Sequence, residues 1–369
     1  MESNRITEEL LYEIALSRLE GIGSVLYKNL LSHFGSARDV FRIPSGKLLR
    51  VSGIGAHLVS VFSRKDEALH EAESIIESSA RKNIRIVPLR SADYPAALKE
   101  TYDCPAVLYL KGNGPVAPRK TLAVVGTRDA TPYGKAVVTR LMAELSGIQV
   151  ISGLAYGIDI TAHREALKNN LSTLGVLANG LDTVYPSPHR KVAEEMLEQG
   201  LLISEQPVFT RLHPQFFVSR NRIIAGLSEV VLVVESAGKG GSMVTAEFAN
   251  NYNREVFAVP GDLGKKQSEG THRLIFEHKA HIFTDAAALI DWMQWNTTAQ
   301  PAKKEHDLSS FSEEEKAVLT LLAERGEMQI DELSWFAGVP AGRLPSVLLN
   351  LEFQEIIKQN PGKKFSLKR

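Results

Sequence analysis

Between residues 120 and 297, short aliphatic runs recur with amphipathic stretches between them, and this alternation constrains the chain more than any other feature. The runs fall at 122–125, 149–151, 173–177, 201–204, 230–234 and 256–259. Most lack polar alternation, so both faces of each strand must be covered, which is the signature of a parallel sheet flanked by helices. The segments 133–146, 158–168, 188–199, 221–227, 242–252 and 271–279 supply those helices. The expected fold class is therefore α/β, a Rossmann-like, doubly wound, mostly parallel sheet occupying 120–297.

The flanks read differently. Residues 1–80 are short helices interrupted by glycine, and Leu19-Glu20-Gly21-Ile22-Gly23 is repeated as Val51-Ser52-Gly53-Ile54-Gly55. Such a turn resembles the helix-hairpin-helix, so this part is expected to be a small helical (helix-hairpin-helix/SAM-like) module. Its 9 basic and 11 acidic side chains argue against strong DNA affinity. Residues 81–119, with Ile84-Arg85-Ile86-Val87-Pro88 and Ala106-Val107-Leu108-Tyr109-Leu110, read as a connector with short strands. A polar linker is expected over 298–310. In 311–369 a capping box (Ser312 to Glu315) precedes three helices, and two strands joined by Asn360-Pro361-Gly362 follow, the pattern of a winged helix. Acidic side chains slightly outnumber basic ones there, and the third helix offers only Arg343 to DNA. Protein contact or intramolecular docking is favoured over duplex recognition for the tail.

The whole chain has 43 basic and 43 acidic residues, so nucleic-acid binding would have to come from local clustering. A single cysteine, Cys104, and the lack of a close-spaced histidine pair leave no disulfide or metal site to propose. No apolar run approaches the ~20 residues of a membrane helix, and the N-terminus has no signal core, so a soluble, cytoplasmic protein without a membrane partner is expected.

In an open parallel sheet, ligands sit beyond the carboxyl ends of the strands. There the sequence places Gly126-Thr127-Arg128, Ser152-Gly153, Asn179-Gly180 and Lys239-Gly240-Gly241-Ser242, small residues that let a phosphate approach backbone amides. Neither a Gly-x-Gly-x-x-Gly nor a phosphate-loop lysine motif occurs, so no nucleotide cofactor is expected. The densest cluster is His213-Pro214-Gln215-Phe216-Phe217-Val218-Ser219-Arg220-Asn221-Arg222, which joins phosphate donors to a stacking face, as single-stranded nucleic acid requires. Phe216 is assigned to the core, while Phe217 is open between core and platform. Arg220 and Arg222, two apart, point in different directions on a helix, which leaves one of them free to be a structural ion-pair partner. Asp159 and His163 share a helix face and are read with Gly180 as shaping the crevice, Asp159 by bonding loop backbone. A Ser152, His163, Asp159 triad is disfavoured because no nucleophile elbow is present.

Six ordered motifs then add up to a resemblance. They are Ser152-Gly-Leu-Ala-Tyr-Gly-Ile-Asp-Ile-Thr-Ala-His163, Gly180-Leu-Asp-Thr-Val-Tyr-Pro186, Leu202-Ile-Ser-Glu-Gln-Pro207, Arg220-Asn-Arg-Ile-Ile-Ala-Gly-Leu-Ser228, Gly241-Ser-Met-Val-Thr-Ala246 and Val256-Phe-Ala-Val-Pro-Gly261. In this order they resemble the DNA-processing protein A family (DprA, also called Smf), densely over 120–280. The resemblance implies a non-catalytic protein of natural transformation that binds and protects incoming single-stranded DNA. It also implies a homodimer formed through the Rossmann-like domain and help in loading the RecA recombinase. By motif, Gly126, Thr127, Arg128, Phe217, Arg220, Asn221 and Arg222 would grip backbone and bases. Ser152, Gly153, Gly240, Gly241 and Ser242 would be small-residue walls, and Lys239 an extra phosphate contact. The chain departs from the family in having Phe217-Val218 where Phe-Pro is common, and Lys279-Ala280 for a late Gly-Ala.

Two other readings compete. Residues 240–247 loosely resemble the loop of Rossmann-like nucleoside-monophosphate phosphoribohydrolases, with Glu247 as the catalytic carboxylate, although the proline and the second Gly-Thr pair are missing. Alternatively, the winged-helix tail is the principal reader of duplex DNA, as in a regulator.

Overall fold

The computed structural model describes residues 8–118, 120–295, 311–340, 342–354, 356–360 and 364–367. The expected linker 298–310 and the Pro361-Gly362 turn lie outside these residues. Contacts divide the chain into two compact units, Met1–Met293 and Gln294–Arg369.

In the first unit the strands are β1 (Arg85–Pro88), β2 (Val107–Gly112), β3 (Thr121–Val125), β4 (Gln149–Ser152), β5 (Thr173–Leu177), β6 (Leu201–Ser204), β7 (Val230–Val233), β8 (Glu255–Ala258) and β9 (His281–Ile282). They form one sheet in the order β1-β2-β6-β5-β4-β3-β7-β8-β9. From β6 to β9 every pairing is parallel. β3, β4, β5, β6 and β7 are buried along their whole length, as continuous apolar strands between two helical layers must be. The chain winds outward from β3 through β4 and β5 to β6, then returns to the other side of β3 as β7. The switch in winding direction lies between β3 and β7, where an open sheet parts to form a crevice.

The stretch 81–119 is not a connector. β2 pairs antiparallel with β6 and β1 with β2, so both strands extend the same sheet at its edge. The helical N-terminal part shares the core: Ile14, Leu16, Tyr27 and Leu30 belong to one apolar cluster with Leu108, Leu110 and Leu202. Lys28 Nζ adds a hydrogen bond to the Thr101 carbonyl at 2.8 Å. The helices of this part are α1 (Glu8–Arg18), α2 (Ser24–Phe34), α3 (Ala37–Arg42), α4 (Ser45–Leu48), α5 (Ala56–Val61), α6 (Lys65–Arg81) and α7 (Ala96–Lys99). The two glycine turns are structurally reciprocal. Gly21 (φ +79°) lies against Leu58 of α5, and Gly53 (φ +89°) lies against Leu26 of α2, and the left-handed backbone at both positions is what calls for glycine.

The sheet's helices are α8 (Pro132–Glu144), α9 (Ile158–Lys168), α10 (Arg190–Gln199), α11 (Pro214–Leu227), α12 (Gly241–Asn251), α13 (Glu269–Phe276) and α14 (Ala286–Trp292). α11 begins seven residues before the expected start at 221. His213 caps it through Nδ1, and Pro214 occupies its first turn, where a preset φ and a missing N–H cost nothing.

The second unit is a winged helix: α15 (Glu313–Arg325), β10 (Met328–Gln329), α16 (Ile330–Ala337), α17 (Leu344–Phe353), β11 (Ile357–Asn360) and β12 (Lys364–Leu367), with strand order β10-β12-β11. The Ser312–Glu315 capping box is present. Val318, Leu322, Leu333, Leu348 and Phe365 form a core of its own.

Candidate functional site

A groove of about 610 Å³ opens at the carboxyl ends of β3 and β7. Its first wall is Gly126-Thr127-Arg128. Thr127 N donates to Glu235 O at 2.7 Å, and the buried Glu235 carboxylate accepts from Thr131 N at 2.9 Å. These bonds tie the loop after β3 to the end of β7. A side chain at Gly126 would meet Ile158 Cγ1 at 2.5 Å, so only glycine lets α9 come this close.

The early start of α11 determines which side chains reach the groove. Phe217, Arg220, Asn221 and Ile224 follow one another at helical i, i+3, i+4 and i+7 spacing, and all four line it. At the rim, the exposed Arg128 places its guanidinium carbon 5.5 Å from the centre of the Phe217 ring, within cation–π range. Tyr185 meets the same ring edge-on at 5.6 Å and is itself exposed. Asn179 Nδ2 holds the loop that carries Tyr185 by donating to the carbonyls of Gly180 and Thr183.

Arg220 forms the floor. It is 6% exposed, and its Nη1 donates to Gly153 O at 2.7 Å and to Val176 O, with Nε bonded to Asn221 Oδ1. Gly153 makes this possible, since a side chain there would lie 2.4 Å from the guanidinium. Burial pulls the Arg220 pKa down to about 10 and Asp159 opposes the shift, so the floor remains cationic at neutral pH. Burial raises the Asp159 pKa, and Arg220 together with the Ala155 and Gly153 amides acts against that rise. Asp159 Oδ2 accepts from Gly153 N at 3.1 Å and Ala155 N at 3.4 Å, which sets the loop that roofs Arg220. The back wall is the start of α12: Gly240 at the N-cap, then Gly241 and Ser242, with Asn221 Nδ2 reaching Gly241 O at 3.2 Å. Amides at a helix N-terminus facing a groove favour an anion.

Several expected residues lie elsewhere. Arg222 does not line the groove: one residue past Asn221 it turns to the opposite side of α11, ion-pairs with Glu205 at 2.5 Å and donates to Asp103 O. It is therefore corrected from a DNA-gripping residue to the structural ion-pair partner. Ser152 is fully buried, donates to Val124 O at 2.6 Å and lies beneath the groove instead of in its wall. Gly153 likewise acts from below, through Arg220. Lys239 is exposed but outside the lining, and Gly180 packs on Pro207 and Val208. His163 is buried behind the groove with Nδ1 2.7 Å from Thr173 Oγ1, and burial lowers its pKa to about 3, so the ring is neutral. Neither of its ring nitrogens bonds Ser152, so the triad is not assembled. Phe216 is not core; it is partly exposed and packs edge-on with His213. Glu247 is exposed on α12, away from the groove, with Lys279 Nζ at 3.6 Å.

Tyr185 and Glu235 were not singled out from the sequence. Tyr185 stands inside the Gly180–Pro186 motif, and its position after a parallel strand was the available signal. Glu235, just past β7, has the same positional signal, but its role depends on Thr131, a partner distant in the chain.

Comparisons with known proteins fit this geometry. A family model described as DNA recombination-mediator protein A matches residues 85–294, and one described as DprA winged helix domain matches 298–363. Protein Smf of Synechocystis is 30% identical over 97% of this chain and 98% of its own. The X-ray structure of DNA processing protein A from Streptococcus pneumoniae superposes with a TM-score of 0.65 at 30% identity, covering 76% of this chain and 97% of that one. A structure of the Helicobacter pylori protein, described for its single-stranded DNA binding mode, gives a TM-score of 0.52 at 30% identity over 57% of this chain and 97% of that one. With a matching family model over more than half its length and a full-length relative at this identity, the chain belongs to the DprA/Smf family of DNA-processing proteins.

Proposed function

We propose that the groove between β3 and β7 binds single-stranded DNA without regard to base sequence, as the DNA-processing component of natural transformation. The carrying observation is the Arg128 guanidinium above the Phe217 ring with Tyr185 at its edge, over the buried cation Arg220. A π-face, a cation beside it and helix N-terminal amides behind it are what an unpaired strand needs, because every base can stack and every linkage is anionic. Gly126, Thr127, Asn221, Gly240, Gly241 and Ser242 supply the close backbone approach. Lys239, exposed beside the glycine turn, is a contact for a strand that runs past the groove.

The reading is non-enzymatic. Glu247 faces away from the groove, and Ser152, Asp159 and His163 are each committed to bonds that hold the fold. Protection of incoming DNA, loading of RecA, dimerisation through the Rossmann-like domain and a cytoplasmic place of action belong to the same proposal, on the strength of family membership. Among the described residues no helix is long and apolar enough to cross a membrane.

The test is fluorescence anisotropy of the full chain with a ~20-nucleotide oligomer at several salt concentrations. Arg128→Ala is expected to weaken binding alike on oligo-dT and mixed sequences and to flatten the salt slope by about 0.7, the contribution of one lost phosphate contact on a single strand. Unchanged affinity and slope would remove the groove from consideration.

A further inference from the structure

Phe209 is displayed in a way that packing does not explain. The residue is 64% exposed, yet its backbone is left-handed at φ +64°, a conformation that glycine adopts freely and phenylalanine rarely. Neighbouring bonds enforce that geometry. Asp182 Oδ1 accepts from Phe209 N at 3.0 Å, and Thr210 Oγ1 donates to Pro207 O at 2.7 Å. Gly180 lies so close to Pro207 O and Val208 Cα that a side chain there would meet them at 2.4 and 2.9 Å. Lys82 Nζ stands 5.5 Å from the ring centre, and this is, with Arg128 on Phe217, a second pairing of a cation with a phenylalanine face among the described residues of the first unit. Strained residues that the surroundings hold in place gather at sites of function.

We propose that Phe209 and Lys82 form a second stacking station for single-stranded DNA, on the path of a strand leaving the groove toward β6. The inference rests on the single-strand reading of the groove and adds a direction to it. The two stations are mechanically joined, since Asp182, which fixes Phe209, belongs to the same loop as Tyr185, which edges Phe217. The occupant follows from that continuity and from chemistry: an exposed ring takes a base, and the ammonium above it takes the adjoining phosphate.

Binding of oligothymidylates of ~6 and ~20 nucleotides to the full chain tests this, the lengths bracketing one short site and a site with room to extend. Phe209→Gly removes the ring while suiting the left-handed backbone, so its thermal midpoint should equal or exceed that of the unaltered protein. It should bind the short oligomer normally and the long one about fivefold or more weakly, the lower end of what one stacked base contributes. Lys82→Gln should show the same length dependence with a smaller loss. Equal binding of the long oligomer by Phe209→Gly and the unaltered chain, or equal weakening at both lengths, would overturn the proposal. If Arg128→Ala loses affinity while Phe209→Gly does not, the groove stands and the second station falls. If the unaltered chain binds neither oligomer, both fall.

Discussion

The groove at β3 and β7 and the third helix of the winged helix, α17, each belong to a fold associated with nucleic acid, and each exposes aromatic or aliphatic side chains. At α17 these are Leu349 and Phe353, 53% and 79% exposed. The helix Leu344–Phe353 carries no basic residue, and Arg343 at its N-cap pairs with Glu314 at 3.1 Å. In the groove, by contrast, the half-buried Phe217 lies under one guanidinium and beside another that is buried and held by two backbone carbonyls. An apolar face becomes suited to a strand only where a cation is fixed next to it and the backbone is bare enough to admit a phosphate. The fold does not supply that arrangement; the particular side chains do.

The largest expected effect comes from the groove floor. Arg220→Met removes a buried cation that holds the ends of β4 and β5, leaving Asp159 without its counter-charge and the Gly153 and Val176 carbonyls without their donor. Losing one member of such a set costs about 3–5 kcal/mol, read as a lower midpoint in denaturant, and strand binding should fall with it. A variant as stable as the parent would mean that the floor does not organise the rim, and the contrast with α17 would reduce to one exposed arginine. Next in size is Phe217→Leu, which keeps an apolar side chain but removes the π-face. It should leave the denaturation midpoint within about 1.5 kcal/mol, as a hydrophobic swap usually does, while affinity for oligo-dT falls about fivefold or more. Undiminished affinity would place Phe217 with α17's Phe353, as a ring that touches no base.

The parallel strands were legible because each is a continuous buried run: 173–177 and 201–204 coincide with β5 and β6 to the residue. β1 and β2 looked like a connector because their place in the sheet depends on antiparallel pairing with β6, some ninety residues on, which no local pattern encodes. β9, two residues long, is below what periodicity can detect. The groove's composition was readable from its glycines and from the cluster 213–222, but its geometry was not. The divergence of Arg220 and Arg222 follows from helical spacing alone, but a helix start at 221 instead of Pro214 leaves Phe217 outside the helix and so conceals that it shares a face with Arg220 and Asn221. That Arg220 would be floor and Arg128 rim depends on Gly153 lying directly against the guanidinium, a contact across 67 residues of sequence.

The smallest expected effect is the one that most directly tests the contrast between the two regions. Removing residues 311–369 takes away a unit with its own apolar core and leaves the other unit's core intact, so the shortened chain should fold. Because α17 presents Leu349 and Phe353 without a cation of its own, its loss should alter affinity for a ~20-nucleotide single strand by less than about twofold and leave the salt slope unchanged. Duplex of equal length should bind weakly before and after, since a recognition helix with no basic residue of its own, flanked by an Arg343 that is paired with Glu314, lacks the cation that would anchor it to phosphate while Asn350 met a base edge. A duplex affinity that disappears with the tail would reverse the contrast: the wing or its neighbouring lysines, Lys358 and Lys364 among them, would then be holding DNA that α17 does not read. A single-strand affinity that falls with the tail would mean instead that the groove is only part of the site, and the exposed Phe353 ring of α17 would have to be counted with Phe217 and Tyr185 as a surface on which bases stack.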